Sequence, residues 1–257
     1  MSDWLHNLPV SWMALVVFGF TFLLAAMIYA VVATLATGRL AKSFKAISVG
    51  MLPSLGIMFG LFVAFTAAQV WGDNDRATAA ISREASALRS VLVFSASFAG
   101  EPENRMHSLI REYVQHTARV EWPLMAHQSA PLNTTPRQLA DALQLVLSLP
   151  ATASGQQTAQ HEITSAIEIA LDARRQRIIV SLAEVNFVKW LCVCLQAVCV
   201  LVAIAMVHSD NRAAAAIAMG IFATGVAVCE LLIVSHDRPF TGEISVKPDV
   251  LLQVRPQ

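Results

Sequence analysis

Four apolar stretches, paired two and two around a polar middle, constrain this chain more than anything else in it. Val10 to Ala36 and Ile47 to Val70 make the first pair, and Phe187 to Val207 and Ala213 to Val234 the second. Each runs to about 20 residues or more, and at about 1.5 Å per residue such a helix crosses a hydrocarbon layer of roughly 30 Å. Composition agrees: 56% of the residues are hydrophobic and 14% charged, with mean hydropathy +0.56. The pattern predicts an all-α integral membrane protein with four transmembrane helices in two pairs and a helical domain inserted between spans two and three. The expected divisions are 1–71 for the first pair, 72–186 for the inserted domain, 187–235 for the second pair and 236–257 for a tail.

Several function classes fall away. The first stretch has no Lys or Arg ahead of it, the earliest being Arg39, and its apolar run exceeds a signal-peptide core, so it reads as a retained helix. Formal net charge is zero, which gives nucleic acid no electrostatic footing. All four cysteines, Cys192, Cys194, Cys199 and Cys229, lie in the last two apolar stretches, where they read as small packing residues, and none is left to staple the polar domain. No P-loop, dinucleotide fingerprint, H-E-x-x-H or G-x-S-x-G motif occurs. His161-Glu162 lacks a second His at metal-ligand spacing, and His107 and His116 read as solvent-facing. The expectation is a protein that is not an enzyme and needs no metal or cofactor. Its expected partners are the lipid bilayer, further copies of itself and an anion.

Sidedness follows from loop charge. The connector between the first two spans carries Arg39, Lys42 and Lys45 and no acid, which places it in the cytoplasm of a cell inner membrane. The polar domain and both termini are then extracytoplasmic. Trp4, Trp12, Trp71 and Trp190 fall near span ends on the polar-domain side, as interfacial anchors do.

The polar middle has helical periodicity throughout. From Asp73 the second span is expected to run on, with Ile81, Ala85, Leu88, Val91 and Leu92 on one face, until Gly100 and Pro102 stop it. Met106, Leu109, Ile110, Tyr113, Thr117 and Val120 mark the next helix, ending at Glu121-Trp122-Pro123. Thr135-Pro136 opens another, through Leu147. Ile163, Ile167, Leu171, Ile178, Leu182 and Val185 mark a last helix expected to continue unbroken into the third span. Glu243 to Val246 is expected to form one short strand.

The second span holds the most distinctive residues. Gly56 and Gly60 form a GxxxG pair suited to close helix packing, within this chain or between copies, and Pro53 suggests a kink. Ile57, Leu61 and Phe65 repeat every four residues on another face, which reads as core or lipid-facing or, in a ring of subunits, as an apolar constriction. Glu230 is the one acid well inside a span, and an ionisable group at depth is a pore or pocket candidate unless it reaches interfacial water. Arg174, Arg175 and Arg177 read as a solvated face paired with Glu168, Asp172 or Glu184, or else as an anion-attracting vestibule.

A family resemblance rests on further segments: Leu61-Phe62-Val63-Ala64-Phe65 through Val70-Trp71, Ala77, Glu84-Ala85-x-x-Leu88, Tyr113, Glu121-Trp122-Pro123-Leu124-Met125 and Asp237-Arg238-Pro239-Phe240-x-Gly242. Across essentially its whole length the chain resembles a family of uncharacterised bacterial membrane proteins described as bestrophin-like. More distantly it is similar to bestrophins, pentameric anion channels whose second span lines the pore neck. Leu52-Pro53 and Gly60-Leu61-Phe62-Val63 look like that span, which implies neck positions for Ile57 and Leu61. No counterpart of the acidic calcium site of animal bestrophins is found, so calcium gating is not implied. Bestrophins keep their polar bulk in the cytoplasm, whereas the basic loop here argues for the opposite side. For the signature residues, Glu121 and Trp122 are expected to cap and anchor a helix end, and Asp237 and Arg238 to pair at the membrane surface. Two functions fit: an oligomeric anion or small-solute channel lined by span two, or a non-conducting envelope sensor or assembly protein that binds a partner through its helical domain.

Overall fold

A computed structural model describes residues 6–36, 43–44 and 49–254. Its helices are α1 (Val10–Leu35), α2 (Met51–Ser95), α3 (Glu101–His116), α4 (Trp122–Ala126), α5 (Arg137–Ser148), α6 (Ser154–Ser181), α7 (Phe187–Val207), α8 (Arg212–His236) and α9 (Asp249–Leu252). A 3₁₀ turn, Ala96–Phe98, follows α2, and a π-turn, Thr117–Glu121, joins α3 to α4. The protein is all-α. Among the described residues there is no strand, and Glu243–Val246, expected to form one, is a turn and irregular chain. Four of the described helices, beginning at Val10, Met51, Phe187 and Arg212, are long and apolar enough to cross a membrane. The basic loop residues Arg39, Lys42 and Lys45, and Trp4, lie outside the described residues.

The chain divides into two compact units: Met1–Trp71 with Glu184–Asp237, and Gly72–Ala183 with Arg238–Gln257. In the first, α1, α7 and α8 pack on one another. Their contact faces bury Ala25, Ala197, Ala205, Ala223 and Ala227. Lipid supplies no hydrophobic drive between helices, so such small side chains let backbones approach and gain dispersion contact. Met13, Val17, Ala67 and Val70 join Trp190 in a second cluster of this unit. Trp190 is therefore buried rather than an interfacial anchor, while Trp12 and Trp71 are exposed.

The second unit is the helical domain. Ala77, Ile81, Ala85, Leu88 and Val91 of α2 meet Met106, Leu109 and Ile110 of α3, Leu139, Ala142 and Val146 of α5, and Ile163, Ile167, Ala170 and Ile178 of α6. Each large apolar side chain so buried contributes about 1.5–3 kcal/mol. Phe240, Leu251 and Val254 enter the same core, so the chain after Arg238 is part of this domain. Gly100 turns the chain at φ +101°, a conformation that suits glycine, and Pro102 and Glu103 then open α3.

Three expectations on helix ends are corrected. The apolar period of α6 does not carry into α7: α6 stops at Ser181, and Asn186 caps α7, its Oδ1 accepting the Val188 N–H at 2.9 Å. Leu182 and Val185 keep the apolar period inside the break itself, which hides it. The helix through Met106 does not end at Glu121-Trp122-Pro123 but widens into the π-turn and goes on to Ala126. Pro53 makes no mid-helix kink, because α2 begins at Met51 and a proline in the first turn lacks only an N–H that would have no helical partner.

Candidate functional site

In the membrane-spanning unit, α2 divides its surface by helical period. Phe59 turns inward to an edge-to-face contact with Phe222 at 5.5 Å, and Thr66 satisfies its hydroxyl on the Phe62 carbonyl at 2.8 Å. The other side is uncovered: Ile57 is 71% exposed, Leu61 53% and Phe65 67%. A Cβ placed on Gly56 or Gly60 would meet nothing within 4 Å, so neither glycine marks a close helix contact inside this unit. Beside Phe65 a groove of about 250 Å³ is lined by Phe62, Thr66, Gln69, Val188, Lys189 and Cys192. Lys189 donates to Gln69 Oε1 across it.

Glu230 is half-buried among α1, α7 and α8 and touches none of the α2 face residues through a hydrogen bond. Asp237 ends the same unit. Its Oδ1 accepts the Val185 N–H at 2.7 Å and its Oδ2 lies 3.3 Å from His6 Nε2. The carboxylate, itself buried, therefore ties three distant segments together.

The helical domain holds a second constellation, built from positions on the core faces of its helices. Arg177 is fully buried. Its Nε donates to Glu84 Oε2 at 2.8 Å, and its Nη2 donates to Glu84 Oε1 at 3.2 Å and to Glu121 Oε2 at 3.1 Å. One turn back, Arg174 donates from Nε to Glu121 Oε1 at 2.8 Å and from Nη1 to the Thr134 carbonyl at 2.9 Å. Tyr113 donates to Glu84 Oε1 at 2.5 Å, and the Arg177 guanidinium lies 5.1 Å from the centre of the Trp122 ring. Two arginines face two carboxylates, so the charges balance and the oxygens are filled. This corrects two expectations: Arg174 and Arg177 form neither a solvated face nor a vestibule, and only Arg175 of the three is exposed. Glu121 is not a helix cap but the bridge between both arginines.

The tail closes over this centre. Trp122 Nε1 donates to the Val246 carbonyl at 3.0 Å, and Phe240 meets the Trp122 ring edge-on at 5.5 Å. Thr241 Oγ1 donates to the Ala126 carbonyl at 2.7 Å, and Gly242 turns at φ +85°. Glu121, Trp122, Phe240 and Gly242 thus belong to one structural assembly, with Pro123 in the first turn of α4 and Pro239 accepting the Val246 N–H at 2.8 Å. Glu84, Tyr113, Arg174 and Arg177 complete it. Among the described residues no three metal-binding side chains cluster.

Charge and burial act in opposite senses on these groups. Burial alone would raise the Glu121 carboxyl, but the Arg174 hydrogen bond and the charges of Arg177 and Arg174 outweigh it and hold the group below its usual range. Burial pushes the Tyr113 phenol well up, and the Glu84 charge adds to that. Because folding favours ionised Glu121, its contribution is complete above the ordinary carboxylate value of about 4.3 and is lost as pH falls through the lower folded value. Glu121→Gln is therefore expected to unfold more easily near neutral pH and to lose about one proton's worth of acid dependence. Acid titration followed by circular dichroism checks this; a variant whose acid limb matches the parent's would contradict it.

The comparisons with known proteins bear on both units. A family model described as Bestrophin-like domain matches residues 9–251. A crystal structure of a membrane protein superposes with TM-score 0.73, covering 92% of this chain and 95% of that one at 11% identity, a likeness of fold. No curated protein matches.

Proposed function

Since this chain belongs to the bestrophin-like family of membrane proteins, we propose that it assembles with copies of itself into a channel for anions or small solutes, lined by the spanning part of α2. The observation that carries this reading is the bareness of α2. Of its most apolar window 17% is buried, against 22% for α1, 33% for α8 and 44% for α7, and its bulky exposed residues stand beside two glycines with nothing packed on them. Around a symmetry axis, Gly56 and Gly60 would let neighbouring α2 helices approach, while Ile57 and Leu61 would narrow the lumen and gate it by excluding water. Phe65 would sit toward its mouth. With Arg174 and Arg177 committed inside the helical domain, Lys189, which lines the groove beside Phe65, would favour anions there. The proposal keeps the helical domain and both termini outside an inner membrane, on the charge of the Arg39, Lys42 and Lys45 loop.

Halide efflux from liposomes holding the purified protein tests the reading. Leu61→Ala removes most of a constricting side chain and is expected to raise flux on the order of several-fold, as a wider apolar neck wets more readily. Absence of flux from folded parent and variant alike would instead favour a non-conducting envelope protein that binds a partner.

A further inference from the structure

The groove between the spanning part of α2 and the start of α7 has a polar rim over an apolar interior. Gln69 and Lys189 form the rim: Gln69 stands one residue before the apolar run of α2 ends at Val70, and Lys189 is the third residue of α7. Phe62 lies two turns before Gln69, about 10 Å along α2, and Cys192 about one turn beyond Lys189. The groove of about 250 Å³ therefore passes from the rim into the apolar layer, where Phe62, Phe65 and Cys192 line it.

The rim offers donors and a positive charge. A lysine ammonium can only donate, so the amide oxygen of Gln69 is the atom that faces it. That bond takes one ammonium hydrogen and leaves two others, together with the amide hydrogens of Gln69, at the mouth of the groove. Thr66, the remaining polar side chain of the lining, gives its hydroxyl hydrogen to the Phe62 carbonyl. Among the described residues no carboxylate forms an ion pair with Lys189, whose partner is a neutral amide.

Donors with one uncompensated positive charge, set over a hydrocarbon-lined groove, are complementary to a molecule that is anionic at its head and apolar below. We propose that this groove binds an anionic phospholipid, its phosphate on Lys189 and Gln69 and the upper part of an acyl chain against Phe62, Phe65 and Cys192. A free phosphate would use the rim and leave the groove unfilled. An uncharged amphiphile would fill the groove and leave the ammonium without a counter-ion. At the end of a span, the rim also stands at the level of the headgroups. Phe62 follows Leu61 and so points about 100° round the helix from it, which makes the groove a different face of α2 from Ile57 and Leu61. A lipid here neither requires nor precludes a pore along α2.

Native mass spectrometry of the full-length protein in detergent, with phosphatidylglycerol or phosphatidylcholine of identical chains added, tests it. The parent should retain the anionic lipid about fivefold more than the zwitterionic one, the advantage a single lysine gives near a membrane surface. Lys189→Gln should lower that preference by about the same factor, and Lys189→Arg should keep it. Cys192→Phe, which fills the groove and leaves the charge in place, should reduce retention of phosphatidylglycerol. Equal retention of the two lipids by the parent would overturn the proposal, as would a preference undiminished in Lys189→Gln. Retention that inorganic phosphate abolishes and Cys192→Phe leaves unchanged would make the rim a site for free phosphate, and would overturn it too.

Discussion

Arg177→Ala is expected to destabilise the helical domain by about 3–5 kcal/mol, the cost of breaking a buried ion pair and stranding its partner. Domain stabilities run to about 5–15 kcal/mol, so the change consumes much of the total. Arg177 is fully buried and supplies both oxygens of Glu84 and one of Glu121, so its loss leaves two carboxylates competing for Arg174 and Tyr113. Hydrogen exchange of α3 and α6 in full-length protein in lipid would report the loss as faster exchange across both helices. Replacing the set together, as Glu84→Leu, Tyr113→Phe and Arg177→Met, should be milder than Arg177→Ala alone, because apolar groups leave no stranded charge. Exposed Arg175→Ala should change stability by no more than about 0.5 kcal/mol. Protection in Arg177→Ala equal to the parent's would refute the account.

The second large effect falls on Trp122. Its ring is clasped by Phe240 and by the Arg177 guanidinium, and its indole N–H holds the tail at Val246. Trp122→Ala is expected to cost about 3–5 kcal/mol, the range for a large buried aromatic. The cost should be concentrated in the tail, which loses its stacking partner and its hydrogen bond at once. Limited proteolysis should then cut between Arg238 and Val254 in the variant and spare the parent. Trp122→Phe retains a ring against Phe240 but abandons the Val246 carbonyl, a loss of about 1 kcal/mol. A tail that stays protected in Trp122→Ala would mean that Thr241 and the buried Leu251 hold it unaided.

Span lengths, the all-helical class and the unbroken run of α2 past Asp73 were legible in the sequence because each rests on many residues acting alike. Helix ends were less so: Leu182 and Val185 keep the helical period across a break that Asn186 imposes by capping. The buried ion pairs left a signal that charge alone conceals. On α6, Ile163, Ile167, Ala170, Arg174, Arg177 and Ile178 share one stripe, so the arginines occupy core positions. Glu84 stands likewise among Ile81, Ala85 and Leu88, and Tyr113 among Met106, Leu109 and Ile110. A charged residue in register with an apolar stripe is desolvated by geometry and must find its opposite there. Which acid meets which arginine depends on how four helices pack, which no single periodicity encodes. The bareness of Gly56 and Gly60 was equally out of reach, since a small-residue spacing does not say what packs on it.

The π-turn carries a consequence for the chain's tolerance of length change. The Trp122 N–H reaches back five residues to the Thr117 carbonyl, so this turn accommodates one residue more than an α-helix would. Deleting one residue between Thr117 and Arg119 would let the turn tighten to ordinary α-helical winding, and because the turn had absorbed that residue, the segments on either side would keep their faces. Glu121 would stay turned toward both arginines and Trp122 toward the tail. Removing exposed Arg119 should therefore be far milder than losing Arg177, and point substitutions there should pass almost unnoticed. In this segment the chain carries one residue of slack, a property of its length and separate from the identity of its residues.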